Sequence, residues 1–362
     1  MDRGQSLPGR VAPDRTAPDR AAQRRRASGR PRIEDVAALA GTSAITVSRT
    51  LRAPAKVTEA TRGRVLRAIE QLGYIPDIAA SSLASRRTGI IAVLVPTITI
   101  PVFAETVQGI TDTVRAEGLQ ILLGDYNYSD ASERELLLAL AGRRPEAIIS
   151  VGLVQEPAAR ALLRGLGVPV VESWDLTDDA LDLVVGFSHA GAGGAMARHL
   201  AAGGGRRLAF VGGTDRRAAA RAAGFVAAAI ECGVSAAIAL PTAASNLAEG
   251  ARALAQVIEQ APQTDAVFLS DDMLAAGALL ECQRRGLAVP DRIAIAGLGN
   301  MEISRALSPG ITTIDVAARA IGRRAAEAVL ARLRGDAPGA TVLDLGFSLI
   351  PRGSTRPVPA VA

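Results

Sequence analysis

Hydroxyl and guanidinium side chains recur between Ala44 and Arg52 at spacings that place them on one face of a helix. Ala44, Val47 and Leu51 are predicted to form the buried side, since they recur at intervals of three and four residues. Hydroxyl and guanidinium groups can donate hydrogen bonds to phosphates and base edges, so the opposite face is predicted to enter the major groove of DNA. That face consists of Ile45, Thr46, Ser48, Arg49 and Arg52.

A second helix is predicted directly before this one, and a glycine turn joins the two. Apolar residues recur through positions 33–40 at helical spacing, which is typical of one buried stripe. Gly41 supplies the left-handed residue that commonly ends a helix, and Ser43 offers a side-chain oxygen to cap the next. The pattern predicts a helix-turn-helix, although an ordinary helical hairpin in a protein core would show the same periodicity.

A third helix is predicted to begin at Thr58, in the segment TEATRGRVLRAIEQLGY. Thr58, Thr61 and Arg62 at its start join the predicted DNA contacts. After Pro76 the sequence predicts a helix of barely two turns that ends near Leu83, and a helix this short is marginal alone in water. Leu83 is therefore predicted to act as an apolar wedge at a DNA base step when two copies meet on the duplex.

Three motifs in this part of the chain occur together: D-V-A-x-x-A-G-x-S-x-x-T-V-S-R over 35–49, T-R-x-R-V over 61–65 and L-G-Y-I-P over 72–76. Their combination resembles the lac-repressor family of bacterial transcription regulators. The resemblance implies a DNA-binding transcriptional regulator that binds a pseudo-palindromic operator, and it favours a repressor.

The resemblance also implies roles for individual residues. Ala44 and Ile45 match the positions that open the recognition helix and read bases, and Arg49 follows one turn later. Leu83 matches the leucine that the family's hinge helix inserts into the minor groove. Asp77 departs from the pattern, because the family usually has asparagine after the hinge proline.

The charge distribution agrees with a DNA-binding head on a separate body. Residues 1–88 contain 17 Lys and Arg against 8 Asp and Glu, whereas the remainder contains 24 against 28. A basic head suits a polyanionic partner, although a solvated surface is the common role of such charge. Residues 1–31, with two APDR repeats and three consecutive arginines, are predicted to be a disordered basic tail, a wrongly assigned start or an inert extension.

No sequence feature indicates secretion, a membrane span or a cofactor. The tail lacks an apolar core of the secretory type, and no later stretch reaches the roughly 18 apolar residues of a membrane helix. Cys232 and Cys282 form a single distant pair, which supports neither a disulfide framework nor a zinc site. The sequence thus predicts a cytoplasmic protein without a metal or cofactor.

From Gly89 the pattern changes to alternating strands and helices in two sets, which predicts two α/β lobes with a ligand cleft between them. This resembles the periplasmic-binding-protein-like body of the same family. By resemblance the chain crosses between lobes near Phe187, Ile314 and Leu343. The predicted domains are a tail at 1–31, a helix-turn-helix domain at 32–76, a hinge at 77–88, a first lobe at 89–187 with 316–342, a second lobe at 188–315 with 343–352, and a tail at 353–362.

The body resembles the gluconate-operon repressors within this family, through VGFSHAGAGGAM, ECQRRGLAVPDRIAIAGLG and LDLGFSLIPRGS. By resemblance Arg221 grips the effector, and a guanidinium suits a carboxylate or a diol. Asp271 is predicted to accept sugar hydroxyls, with helix capping as the alternative for Asp271 and Asp272. The loop after the I-x-I-x-G strand has Asn300 where many members have aspartate, which favours an anionic effector such as gluconate. The predicted effector contacts are Arg221, Asp271, Thr97, Phe103, Val151 and Gly299.

Two other functions compete with that of a regulator. The segment VVGFSHAG imitates the G-x-S-x-G elbow of α/β-hydrolases, but Ala190 replaces the last glycine and His199 lies only eleven residues past Ser188. GAGGAM resembles a dinucleotide loop, yet Met196 stands where the third glycine belongs. A sugar-binding protein without a role on DNA would share the cleft but not the helix-turn-helix. The C-terminal sequence lacks leucine heptads, which favours a homodimer over a tetramer.

Overall fold

The structure is a computed structural model that describes residues 31–75, 88–234, 238–336 and 341–358. The chain divides into two compact units, Met1–Arg86 and Arg87–Ala362. Almost all of the predicted basic tail, the predicted hinge helix and Leu83 lie outside the described residues. Within the described residues, no helix is both long and apolar enough to cross a membrane.

The first unit contains three α-helices among its described residues. They are α1 (Ile33–Ala40), α2 (Ala44–Arg52) and α3 (Glu59–Leu72), with a 3-10 turn at Pro54–Lys56. Gly41 ends α1 with a φ of 61°, and the Ser43 hydroxyl caps α2 by accepting a hydrogen bond from the Thr46 amide at 3.2 Å. The helices enclose a small core made of Val36, Ala37, Ala40, Val47, Val65 and Ala68.

The buried side of α2 differs from the prediction at one position. Leu51, predicted to point inward, is 36% exposed, whereas Thr50 is buried. Thr50 can be buried because its hydroxyl donates a hydrogen bond to the Thr46 carbonyl at 2.8 Å. Val47 and Thr50 therefore form the inward stripe, and Leu51 belongs to the surface.

The second unit contains two six-stranded sheets within its described residues. The first lobe uses β1 (Ile90–Val95), β2 (Gln120–Asp125), β3 (Ala147–Val151), β4 (Val170–Ser173), β5 (Leu183–Gly186) and β11 (Val342–Asp344). The second lobe uses β6 (Leu208–Gly212), β7 (Ile238–Pro241), β8 (Ala266–Leu269), β9 (Ala294–Leu298), β10 (Thr312–Asp315) and β12 (Ser348–Ile350). The helices are α4 (Pro101–Ala116), α5 (Asp130–Ala141), α6 (Pro157–Leu166), α7 (His189–Ala202), α8 (Arg216–Glu231), α9 (Leu247–Gln260), α10 (Asp272–Arg284), α11 (Glu302–Ala306) and α12 (Ala318–Arg334).

The strand orders are β11-β5-β4-β3-β1-β2 and β12-β10-β9-β8-β6-β7, and every pairing is parallel except that of β10 with β12. Parallel strands covered by helices on both faces must be apolar on both faces, and all five residues of β3 are buried. The parallel strands of each sheet therefore point their carboxyl ends toward the same edge, where loops can form a site.

The C-terminal boundaries of the lobes differ from the prediction. Leu343 pairs with Val185 in the first sheet, so the predicted boundary after position 342 is two residues too early. The predicted tail at 353–362 begins inside the second lobe, because Ser354 is buried and exchanges backbone and hydroxyl hydrogen bonds with Ile295.

Glycines allow the close helix packing that positions residues around the ligand cleft between the lobes. A Cβ atom on Gly193 would collide with the Arg221 carbonyl, and one on Gly224 would collide with Ala190, so α7 and α8 meet backbone to backbone. Gly109 and Gly322 serve the same purpose between α4 and α12. The GAGGAM segment is therefore a helix-packing surface within α7.

Candidate functional site

The outer face of α2 is available to a partner. Ile45 is 70% exposed, Arg49 and Arg52 are exposed, and Thr46 and Ser48 are half-buried. The helix contains no acidic residue, so no negative charge of its own opposes the approach of a phosphate. Ala44, predicted to read bases, packs against the core of the unit.

The start of α3 carries a second set of polar groups. Thr58 donates a hydroxyl hydrogen bond to Thr61 at 3.0 Å, and Arg62 pairs with Glu59 at 3.2 Å on the surface. An exposed pair of this kind is weak, so Arg62 can exchange Glu59 for a phosphate at little cost. Arg64 instead donates to the Ala40 carbonyl at 3.2 Å, which fixes the C-terminus of α1 against α3.

A cavity of about 440 Å³ lies between the two lobes of the second unit. Residues that follow β3, β4, β6 and β8 line it, as expected at the carboxyl ends of parallel strands. Three of the predicted effector contacts, Phe103, Arg221 and Asp271, lie on its wall. The sequence therefore predicts the location of the cavity and residues from both lobes.

The other three predicted contacts do not line this cavity. Val151 is fully buried within β3, so the lining begins only at Gly152. Thr97 lies within hydrogen-bond distance of the Thr99 hydroxyl, 2.9 Å away, and is buried in its own loop. Gly299 belongs to a separate groove with Asn300, whose amide donates to Asp315 at 3.0 Å.

Two arginines one turn apart on α8 dominate the second-lobe wall. Arg217 and Arg221 are only 7% and 8% exposed. The Arg217 guanidinium lies 5.2 Å from the centre of the Phe103 ring, and its Nε atom lies 3.8 Å from an Asp215 carboxylate oxygen. Sequence reasoning missed Arg217, although its i, i+4 spacing from Arg221 was the available signal.

Both guanidinium groups retain donors without a partner. Within the described residues, Arg217 Nη1 and Arg221 Nε are buried and make no hydrogen bond. Burial lowers the pKa of Arg221; the Asp215 carboxylate opposes this shift, and the neighbouring Arg217 adds to it. Buried donors that lack a protein partner are rare and costly, so these atoms identify the part of the cavity best suited to an anion.

Asp271 and Asp272 in the second lobe both accept hydrogen bonds that stabilise the fold. Asp271 caps α10, since one carboxylate oxygen accepts the Met273 and Leu274 amides at 2.9 Å and the other accepts the Ser245 hydroxyl at 2.6 Å. Asp272 accepts the Met301 amide at 2.7 Å, and burial raises its pKa to about 6. The capping alternative is therefore the structural role of Asp271, which still borders the cavity.

Besides Phe103, the first-lobe wall contains aromatic and carboxyl side chains that sequence reasoning missed. Burial raises the pKa of Glu133 to about 7, with smaller contributions from Asp130, Glu156 and Glu172. Burial also raises the pKa of Asp175. Strand ends followed by tyrosine or tryptophan were the available signal, and these lining residues are Tyr126, Tyr128, Glu133, Trp174 and Asp175.

The residues of the serine elbow do not form a catalytic pair. The Ser188 hydroxyl accepts the Gly191 amide at 3.0 Å and caps α7. The His189 ring contacts the Trp174 carbonyl, whereas the His199 ring contacts the Thr355 hydroxyl. Within the described ranges, no group of three or more His, Cys, Asp or Glu side chains could hold a metal ion.

Residues 32–77 match the model of bacterial regulatory proteins of the lacI family, and residues 197–355 match that of a periplasmic binding protein-like domain. The HTH-type transcriptional regulator GntR of Pseudomonas aeruginosa is 38% identical over 333 residues, covering 91% of this chain and 97% of the relative. The chain belongs to the lacI family. It is a DNA-binding transcriptional regulator and not an enzyme, which confirms the predicted family, fold class and general function.

Solved structures of two transcriptional regulators have the same architecture. A LacI family transcriptional regulator from Silicibacter pomeroyi is 35% identical, with a TM-score of 0.83 and coverage of 90% of this chain and 99% of that one. The transcriptional regulator CelR, solved as a cellobiose complex, is 26% identical, with a TM-score of 0.66 and coverage of 90% and 100%. Similarity over nearly the whole chain includes both units of this lacI-family protein.

Proposed function

We propose that this regulator controls a sugar-acid utilisation operon and that its effector is a sugar acid such as D-gluconate. The observation that carries the proposal is the pair of buried guanidinium groups, Arg217 and Arg221, whose Nη1 and Nε donors have no partner among the described residues. A carboxylate can accept charge-assisted hydrogen bonds from both groups, whereas a neutral sugar would meet the same two cations with weaker acceptors.

The opposite wall suits the hydroxyl groups of the same ligand. Tyr126 and Tyr128 can donate their phenol protons to such hydroxyls, since a phenol is protonated at neutral pH, and burial raises the pKa of Tyr126 further. Asp175 and Glu133 add acceptors, and Trp174 offers an apolar ring face to the carbon chain. A ligand with one carboxylate and several hydroxyls matches this division of the cavity, and a structural relative solved with cellobiose supports the carbohydrate class.

The DNA-binding part of the proposal uses two copies of the first unit. A homodimer would place two α2 helices in successive major grooves of a pseudo-palindromic operator, with Ile45, Arg49 and Arg52 toward the DNA. The predicted minor-groove role of Leu83 is retained from the sequence. Effector bound in the cavity would change operator affinity by favouring one of two states of the dimer.

The test is operator binding with and without D-gluconate. Fluorescence anisotropy of a labelled fragment from upstream of the gene should show tight, salt-sensitive binding by the full chain, and D-gluconate should change the affinity by about tenfold or more. D-Glucose, which lacks the carboxylate, is the matched control ligand. Absence of sequence preference would contradict the DNA-binding role, and equal effects of glucose and gluconate would contradict the sugar-acid effector.

A further inference from the structure

His189 lies between the two lobes but is not among the residues that line the effector cavity. It is the first residue of α7, directly after the chain leaves the first sheet, and only 4% of its surface is exposed. Its Nδ1 atom lies 2.9 Å from Arg221 Nη1, and its Nε2 atom lies 2.8 Å from the Trp174 carbonyl oxygen. Because a guanidinium only donates, Nδ1 must accept from Arg221, and Nε2 must carry the proton given to Trp174.

Trp174 is in turn fixed within the first lobe. Its indole Nε1 donates to the Thr106 hydroxyl at 3.0 Å, and that hydroxyl donates to the Ala318 carbonyl at 3.2 Å. Trp174 also has a φ of 74°, a left-handed conformation that is unfavourable for a bulky residue. The backbone carbonyl that holds His189 is thus presented in an unusual conformation by contacts on α4 and α12.

We propose that His189 is a positioning residue that orients the Arg221 guanidinium toward the effector carboxylate. The hydrogen bond to His189 Nδ1 occupies Nη1 of the Arg221 guanidinium. Nε of the same guanidinium has no partner among the described residues and is therefore left for the ligand. The Trp174 carbonyl selects the imidazole tautomer that can accept this bond. The inference rests on the proposed function, because it assigns the orientation of an arginine that the effector would contact.

The charges around His189 keep it in the required neutral form. Burial and the positive charges of Arg221 and Arg217 hold its pKa well below the usual value, with a smaller effect of Arg216, while the Trp174 hydrogen bond acts in the opposite direction. The Phe187 ring lies 4.3 Å from the imidazole and adds no charge. The imidazole therefore stays an acceptor toward Arg221 at neutral pH.

Two conservative variants separate positioning from simple packing. In His189→Asn the amide oxygen can take the place of Nδ1 and still accept from Arg221, whereas in His189→Gln the amide reaches Trp174 and the acceptor for Arg221 is removed. Calorimetric titration of the full chain with D-gluconate should show nearly wild-type affinity for His189→Asn and about a tenfold or greater decrease for His189→Gln. His199→Asn and His199→Gln, at the other buried histidine, are the matched controls and should bind as wild type.

A second measurement does not depend on the identity of the effector. The chain has two histidines, so their ring nitrogens can be resolved by NMR after selective 15N-histidine labelling. His189 should be the Nε2–H tautomer, and Arg221→Ala should shift its Nδ1 resonance without moving those of His199. Failure of D-gluconate to bind the wild type would count against the proposed function alone. Equal affinities of the two His189 variants, or an unshifted Nδ1 resonance, would overturn the positioning role.

Discussion

The DNA-facing helix and the effector cavity use similar polar groups in opposite environments. On α2, the arginines lie at the surface, and every group on that face comes from one segment of nine residues. In the cavity, Arg217 and Arg221 are buried, and the lining extends from Ile100 to Leu298 along the chain. The arginines of α2 in the first unit are exposed to solvent before DNA binds. Those of the cavity are already buried by folding. A substitution in one region should therefore leave the binding residues of the other region intact.

The largest effect is expected from a charge placed in the small hydrophobic core of the first unit. Val47 is fully buried, so Val47→Asp should destabilise this unit by about 3 kcal/mol or more and abolish operator binding. Binding of D-gluconate, measured by calorimetry, should stay unchanged. Leu66→Asp, at a position of α3 that is 49% exposed, is the control and should preserve the helices. Impaired effector binding in Val47→Asp would contradict the independent folding of the two units.

The converse substitution is Arg221→Ala in the cavity. Removing one partner of a desolvated charge pair costs about 2–5 kcal/mol, so D-gluconate affinity should fall about thirtyfold or more. Operator affinity without effector should stay close to that of the wild type in an anisotropy assay. A variant that still responds normally to D-gluconate would remove Arg221 from the site.

A smaller effect is expected for the arginines of α2. Arg49→Ala or Arg52→Ala should weaken operator binding and lower the slope of log affinity against log salt by about 0.9 for each phosphate that the protein no longer neutralises. The thermal midpoint of the protein should not change, because neither side chain belongs to the core of the head. A reduced midpoint with an unchanged salt slope would show that these residues stabilise the head instead of contacting DNA.

The smallest effect concerns pH and Glu133. Burial raises its pKa from 4.5 to about 7, so the folded state binds more protons than the unfolded state between these values. The stability of the second unit should therefore decrease as pH rises from about 5 to above 7. Glu133→Gln should remove this contribution and raise the melting temperature at pH 8 by about 2–4 °C. An equal pH profile for both proteins would assign the dependence to other groups.

The contrast between the head and the cavity also explains which parts of the protein could be predicted from its sequence. The caps at Gly41 and Ser43 and the apolar stripes of α1 and α3 are local, so periodicity and turn chemistry are sufficient. Strands such as 90–95 can also be recognised from the sequence, because both faces must be apolar in a parallel sheet that helices cover on both sides. Leu51 was misassigned because the intrahelical hydrogen bond of Thr50 allows a polar residue to be buried.

The cavity was only partly predictable for a physical reason. Arg221 was identified by resemblance and Asp271 by its place after a strand, but Trp174 and His189 act through contacts between residues that are far apart in sequence. Val151 was misassigned because a strand-end side chain can point into the core while the next residue faces the cleft. Such orientations depend on tertiary packing, and no local pattern encodes them.

A fluorescence titration of the full chain with D-gluconate examines the proposed effector at the cavity itself. Trp174 is the only tryptophan, it lines the cavity, and its ring lies 6.0 Å from the Arg217 guanidinium. We expect a saturable change in emission with D-gluconate, no change with D-glucose at the same concentrations, and for Arg221→Ala a titration shifted about thirtyfold or more to higher D-gluconate concentration. An unchanged spectrum with D-gluconate, or the same response to both sugars, would contradict a sugar-acid effector in this cavity.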